Sequence, residues 1–218
     1  MVLDFCCHTV LSLNVRAQQG GKIRKLLIAG SVRMANSRER HKSIAIPVSY
    51  VGGIPHFLIV HDRRYKEWTF VTGGCRRREV YNPLRCALRE LEEETRGLMN
   101  IKEGHFSHFT FSTTTQEQRD IEDGVDALNF YNVYLFEVPM TKADHTEFIR
   151  KFNEERSRME GSVIPFRKNY DENDGCRFCT LDTIAQCNMW PMITKHVLQN
   201  KDFIEALLHQ EKKAFNIR

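Results

Sequence analysis

The stretch GGCRRREVYNPLRCALRELEEETRG, residues 73–97, sets three arginines one residue after a glycine pair and four glutamates within five positions. Pro83 fits the first position of a helix, where its missing N–H costs nothing, and Asn82 stands where a capping side chain is favoured. The helix this predicts, from about Pro83 to Thr95, carries Leu84, Ala87, Leu88, Leu91 and Thr95 at the three-and-four spacing of a buried stripe. Glu90, Glu93 and Glu94 then share another side, turned away from the core and related by i, i+3 and i+4. Like charges so placed repel by ~0.2–0.5 kcal/mol per pair. Arg89 reaches Glu93 at i+4, but one cation against three carboxylates leaves a cluster whose natural counter-charge is a hard divalent ion. An isolated acidic run is ordinarily a solvated helix face. Here it follows a strand ending in Gly73-Gly74 and a loop with Arg76, Arg77, Arg78 and Glu79, so backbone and arginines can hold phosphates beside the carboxylates.

Around this stretch the chain alternates strands with helices. Residues 8–15 alternate weakly as a strand, while Gly20-Gly21 and the NSRER segment at 36–40 mark loops. Ser43–Tyr50 and Pro55–Val60 are apolar strands joined through Gly52-Gly53, which supply the positive φ of a tight hairpin turn. Trp68–Thr72 runs straight into Gly73-Gly74, and His105–Ser112 and Leu128–Val138 complete the strands. Two further helices are predicted. Asp144–Met159 packs through Phe148, Ile149 and Phe152, and Pro191–Ala214 through Ile193, Val197, Leu198, Phe203, Ile204, Leu207 and Leu208. This mixture predicts an α+β fold, with helices covering a mixed β-sheet in a sandwich.

At 218 residues, 41% apolar and 28% charged, the chain suits one domain, residues 1–218, in which 1–42 form a basic N-terminal extension packed on or preceding the core. No apolar run reaches the roughly 18 residues of a membrane span, and the first residues lack the basic start of a secretory signal, so a soluble intracellular protein is expected. Seven scattered cysteines, an odd number, fit reduced thiols better than a disulfide framework. The net charge of +4 is too small to argue for nucleic acid in bulk. Residues 1–42, however, hold eight Lys and Arg against Asp4 and Glu39, and could meet a phosphate-bearing ligand or simply form a solvated basic face.

Residues 73–97 resemble the signature of the Nudix hydrolases, with Gly73 and Glu79 at its opening and Arg89, Glu90, Leu91, Glu93 and Glu94 in its helix. Two departures stand out. Nine residues rather than seven separate Glu79 from Arg89, and the closing glycine falls at Gly97, with Arg96 in its usual place. The wording of the motif is most similar to the Nudix proteins of baculoviruses described as ADP-ribose pyrophosphatases. This resemblance implies a Nudix-type α/β/α sandwich and Mg²⁺- or Mn²⁺-dependent hydrolysis of a nucleoside diphosphate linked to another moiety. It implies metal binding by Glu90, Glu93 and Glu94, orientation of these carboxylates by Arg89, and substrate contacts from Gly73, Gly74, Arg76, Arg77, Arg78 and Glu79. It also implies homodimers, common in the family, and the cytoplasm or nucleus of an infected host cell. ADP-ribose, split to AMP and ribose 5-phosphate, is the preferred substrate; removal of an RNA cap by the same chemistry, or a Nudix-fold binding module without turnover, are the alternatives. By the same resemblance one of the helix glutamates or an acid of loop 117–126 or 171–174 serves as general base, with Glu172 preferred; a solvated turn is the more ordinary reading of both loops.

Cys176 and Cys179 have the spacing of a zinc half-site that Cys6, Cys7 and His8 could complete, although a reduced pair is the more ordinary outcome for one such motif. Trp68, Phe130, Tyr131 and Tyr134 could stack a purine, but in alternating strands they read first as core. His105 and His108 read as structural or solvent-facing.

Overall fold

The computed structural model describes residues 38–101, 106–114, 127–160 and 171–215. The expected strand at 8–15, most of the basic extension and the acidic loop at 117–126 lie outside these residues. The described strands are β1 (Arg38–Val51), β2 (Ile54–Asp62), β3 (Trp68–Thr69), β4 (Val71–Gly74), β5 (Phe106–Thr114), β6 (Ala127–Glu137) and β7 (Asn173–Cys179). They form one mixed sheet in which β1 runs parallel to β6 while the other pairings are antiparallel. β1 is long enough to serve two neighbours on one edge, pairing with β4 through Lys42–Ala45 and with β2 through Val48–Val51. Gly52 and Gly53, at φ of 62° and 82°, make the β1–β2 turn as their lack of a Cβ allows. The segment 36–40 is not all loop, because β1 already begins at Arg38, where its parallel register with β6 starts. The strand expected at Trp68–Thr72 breaks at Phe70, since β3 pairs with β2 and β4 pairs with β1.

Alternation along the strands divides the core into two layers. Ile44, Ile46, Val48, Phe57, Ile59, Tyr131, Val133 and Leu135 point to one face, under Trp190, Met192, Ile193, Val197, Phe203 and Leu207. Ala45, Leu58, Val60, Tyr134 and Phe136 point to the other, under Ala87, Leu91, Phe148 and Phe152. Each fully buried large side chain contributes ~1.5–3 kcal/mol. The result is the expected α/β/α sandwich.

Helix α1 (Pro83–Glu94) starts with Pro83 in its first turn, as predicted, but the Asn82 side chain makes no capping bond. The Ser43 hydroxyl instead donates to the Pro83 carbonyl at 2.8 Å and ties the helix start to β1. Helix α2 (Lys142–Glu160) opens on a reciprocal cap, with Thr141 N donating to Asp144 Oδ2 at 2.7 Å and Asp144 N donating to Thr141 Oγ1 at 3.2 Å. After α3 (Leu181–Ile184), the single C-terminal helix expected over Pro191–Ala214 is broken: α4 (Pro191–Ile193) passes into a π-helical turn (Thr194–Leu198), and α5 (Lys201–Phe215) follows. Asn200 causes part of this break, because its Oδ1 accepts from Asp202 N at 2.8 Å and restarts the helix. Among the described residues no helix is long and apolar enough to cross a membrane.

Candidate active site

Glu90, Glu93 and Glu94 are each under 10% exposed, so the acidic side of α1 is not the solvated face that the apolar stripe leaves over. Burying carboxylates is expensive unless each finds partners. Arg89 supplies many of these. Its Nε and Nη2 donate to the two Glu79 oxygens at 2.8 and 2.9 Å, its Nη1 pairs with Glu90 at 2.7 Å and Glu93 at 2.9 Å, and its Nη2 donates to the Gly74 carbonyl at 3.0 Å. Arg76 adds a second contact to Glu93 at 3.0 Å. The Arg89 fork holds the Glu79 carboxyl down to about 2, with the Arg76 backbone N–H helping.

Glu90 and Glu94 are less compensated. Burial first, and the neighbouring Glu93 and Glu172 charges after it, push the Glu90 carboxyl up to about 7 despite Arg89. Glu94 is raised well above the usual carboxylate range by burial and by Glu90; its oxygens accept from Thr72 N at 3.1 Å and Asn173 Nδ2 at 2.9 Å rather than from a cation. Glu172 is also raised, by withdrawal from water and then by Asp62 and Glu93. These three acids line one cleft of about 360 Å³ with Gly73, Gly74, Asp62 and Asn173, while Arg40, Lys42 and Arg64 bring positive charge and Tyr65 and Trp190 bring rings. Gly73 leaves the space that Glu90 occupies: a Cβ there would stand 1.9 Å from Glu90 Cδ, so the carboxylate would have to shift.

A family model described as NUDIX domain matches residues 40–205, most of the chain. The chain belongs to the Nudix family. Among solved structures, NrtR of Shewanella oneidensis is 13% identical with a TM-score of 0.50, over 79% of this chain and 65% of that one. The Nudix domain of the same protein complexed with ADP ribose is 11% identical with a TM-score of 0.49, over 75% and 86% of the two chains. An Ap4A hydrolase of C. elegans is 13% identical with a TM-score of 0.42, over 82% and 98%. No curated protein matches the chain. At these identities the NrtR likeness concerns the fold alone.

Divalent metal ions serve Nudix hydrolases generally, and the donors here suit a hard cation: oxygen ligands whose buried negative charge is only partly offset. They are not drawn to one point, for among the described residues no three Asp, Glu, His or Cys side chains are grouped to hold an ion. Of the trio named from the sequence, Glu90 and Glu94 line the cleft and Glu93 faces the arginines. Glu79 lies against Arg89, and the exposed Arg77 and Arg78, like Arg76, are outside the cleft lining. Arg40, Lys42, Asp62, Arg64, Tyr65, Asn173 and Trp190 were not picked out as site residues by the sequence; of these, Arg40 and Lys42 left a trace as members of the basic N-terminal segment, and Asn173 as a member of the 171–174 loop.

The displaced Nudix glycine has a structural reason. Arg96 adopts φ of 57° and Gly97 φ of 75°, closing α1 with Gly97 N donating to Glu92 O at 2.7 Å. Arg96 is buried, stacks 3.9 Å from the Phe152 ring centre, and donates to the Phe152 carbonyl at 3.1 Å and the Asn173 carbonyl at 2.6 Å. It thereby fixes the residue that partners Glu94. The possible zinc half-site fails on geometry, because Cys176 belongs to one core layer and Cys179 to the opposite one. Tyr131 and Tyr134 are core residues, and Trp68 packs under the Arg177 guanidinium at 3.8 Å. His108 is exposed and stacks on Tyr134 at 4.5 Å.

Proposed function

We propose that this Nudix protein is a Mg²⁺- or Mn²⁺-dependent pyrophosphatase acting on a nucleoside diphosphate linked to another moiety, with ADP-ribose, split to AMP and ribose 5-phosphate, as the preferred substrate. The observation that carries this reading is the cleft in which Glu90, Glu94 and Glu172 face the same space as Arg40, Lys42 and Arg64. Two adjoining phosphates need both signs of charge. Cations on the protein neutralise their outer oxygens, and carboxylates recruit a divalent ion that lowers the pKa of the attacking water and offsets charge at the bridge.

Each residue then has a task. Glu90 and Glu94 would hold the ion, with Glu93 close by on the arginine side. Arg89 positions Glu90 and Glu93 and is itself fixed by Glu79. Glu172 is the proposed general base: its raised carboxyl is closer to the range in which a proton can be taken and returned near neutral pH. Gly73 and Gly74 leave room beside the phosphates, and the Tyr65 and Trp190 rings offer apolar surface to the nucleoside. The likeness of residues 73–97 to the baculovirus Nudix proteins supports ADP-ribose as first choice and an infected host cell as the setting; a homodimer is the assembly common among members of the wider family.

A second reading, cap removal from RNA, is favoured by Arg40 and Lys42, two basic residues of segment 1–42 that line the cleft. A panel of ADP-ribose, dinucleoside polyphosphates, FAD and capped RNA, with Mg²⁺ and with Mn²⁺, decides between them when products are identified by mass. AMP and ribose 5-phosphate are expected. Cap release with inert ADP-ribose overturns the substrate, and turnover of none, with binding retained, leaves a Nudix-fold scaffold.

A further inference from the structure

The 171–174 segment, which leads into β7, is held from three other elements at once. Three successive carbonyls are each taken by an arginine: Glu172 O accepts from Arg63 N at 2.9 Å just after β2, Asn173 O from Arg96 Nη2 at 2.6 Å at the end of α1, and Asp174 O from Arg156 Nη1 at 2.8 Å on α2. The flanking acids are paired as well, Asp171 with Arg63, and Asp174 with His61 and with Lys66, the last at 2.8 Å. Of the two segment residues that line the cleft, Asn173 is buried and donates through Nδ2 to Glu94 Oε2 at 2.9 Å, and Glu172 is its neighbour in the chain. Thr72 N holds the other Glu94 oxygen at 3.1 Å, so both oxygens of this buried carboxylate are oriented by neutral donors.

We propose that Arg96 and Asn173 are positioning residues for the hydrolysis, fixing Glu94 through the Asn173 side chain and Glu172 through the Asn173 backbone. The inference rests on the reading of Glu94 as a metal ligand and of Glu172 as general base. Arg96 stands behind both acids: its bond to the Asn173 carbonyl holds the residue whose amide orients Glu94 and whose chain neighbour is Glu172. Arg96 is not among the residues that line the cleft, so it acts through Asn173 rather than on the substrate.

The guanidinium suits this task because one planar group reaches two carbonyls. Nη1 donates to Phe152 O at 3.1 Å on α2 while Nη2 donates to Asn173 O, and the group lies flat on the Phe152 ring at 3.9 Å. The end of α1, the middle of α2 and the start of β7 therefore meet at one side chain, in the place where the Nudix signature has a glycine and no such tie. Outer partners that orient a metal-binding carboxylate are worth ~10–100-fold in metal affinity or activity, and a reacting group misplaced by ~1 Å costs about 100-fold in rate.

The test measures Mn²⁺ binding to the full chain without substrate, by electron paramagnetic resonance of the free ion, and then kcat and KM at saturating Mn²⁺. Asn173→Ala removes the amide; Arg96→Lys keeps the charge but offers one nitrogen in place of two. In both variants the Mn²⁺ Kd should rise about tenfold and kcat fall about tenfold, with KM changed by less than about threefold. Ser49→Ala, which loosens α2 by removing the contact with His145, stands for a merely destabilised fold and should leave Kd and kcat within about twofold of wild type. The kcat loss of each variant should largely vanish in a Glu172→Gln background, since the displaced residue then has no carboxylate to misplace. An unchanged Mn²⁺ Kd in Asn173→Ala overturns the link to Glu94, fully additive losses with Glu172→Gln overturn the link to Glu172, and equal losses in Ser49→Ala overturn both. If Arg96→Lys does not fold, Asn173→Ala, alone and with Glu172→Gln, decides the two links. A wild type that binds Mn²⁺ but hydrolyses no substrate counts against the substrate reading, and the Kd measurements still decide the link to Glu94.

Discussion

Gly73 and Glu90 share one volume, and this contact links the strand to the chemistry. Replacing Gly73 with Ala would place a Cβ 1.9 Å from Glu90 Cδ and 2.2 Å from its Oε1, so the carboxylate must leave its position against β4. The substitution should cost ~1–3 kcal/mol of stability and reduce metal-dependent hydrolysis at least tenfold while circular dichroism stays native. A variant with wild-type rate would show that Glu90 is not needed where it lies. The glutamates were legible from spacing alone, but their burial was not: the apolar stripe says which side meets the core, and Arg89, Arg76 and Asn173 cover the remaining side from places that helix periodicity does not report. Glu79 was legible as a motif residue, yet the two extra loop residues hid its pairing with Arg89, because a loop's path depends on where its ends are moored.

At the scale of elements, the end of α1 depends on Arg96. A residue with a side chain in the left-handed region costs roughly 1 kcal/mol, and Arg96 offsets this through two carbonyl contacts and its stacking on Phe152. Arg96→Ala should therefore lose more stability than Arg96→Gly, which relieves the backbone while losing the same contacts; the Gly variant should still fall by ~1–3 kcal/mol in urea melts. Equal stability of Arg96→Gly and wild type would remove the guanidinium from this account. α2 has a comparable anchor in His145, buried, stacked on Phe178 at 3.9 Å and 2.6 Å from Ser49 Oγ. Burial, and then His56, lower its pKa. A folded value below the unfolded one of roughly 6.5 makes its contribution fully present above that pH and lost as pH falls through the folded value. Thermal melts between pH 7.5 and 5 should decline less steeply in His145→Gln, and parallel slopes would reject the assignment. The hairpin at Gly52-Gly53 and the α1 start were readable because their signals are local. The break after Leu198 was not, since Ile193 to Leu208 keep an unbroken apolar pattern while Asn200 restarts the backbone bonding.

For the whole molecule, the gathering of Glu90, Glu94 and Glu172 at one cleft, with Arg89 offsetting only part of their charge, predicts a protein steadied by a divalent ion. A divalent cation at a hundred times its Kd stabilises by about 2.7 kcal/mol, which for a chain of this size is a rise of roughly 5–10 °C in Tm. Scanning fluorimetry should show that rise with Mn²⁺ or Mg²⁺ in wild type and little of it in Glu94→Gln. An equal rise in both would move the ion elsewhere. The α+β class was readable from the order of strands and helices, whereas the mixed sheet order rests on pairings such as Lys42 with Tyr131, between segments that no local signal connects.

That parallel pairing has a kinetic consequence. The β1–β2 hairpin closes across two glycines, but the other edge of β1 can be satisfied only after β6 exists, 89 residues later at the Lys42–Tyr131 pair. Loop-closure entropy has to be spent before that edge yields any bonding. A chain emerging from the ribosome therefore carries an open, apolar β1 border through the synthesis of α1 and β5, and this interval is when misassociation with another copy is most favoured.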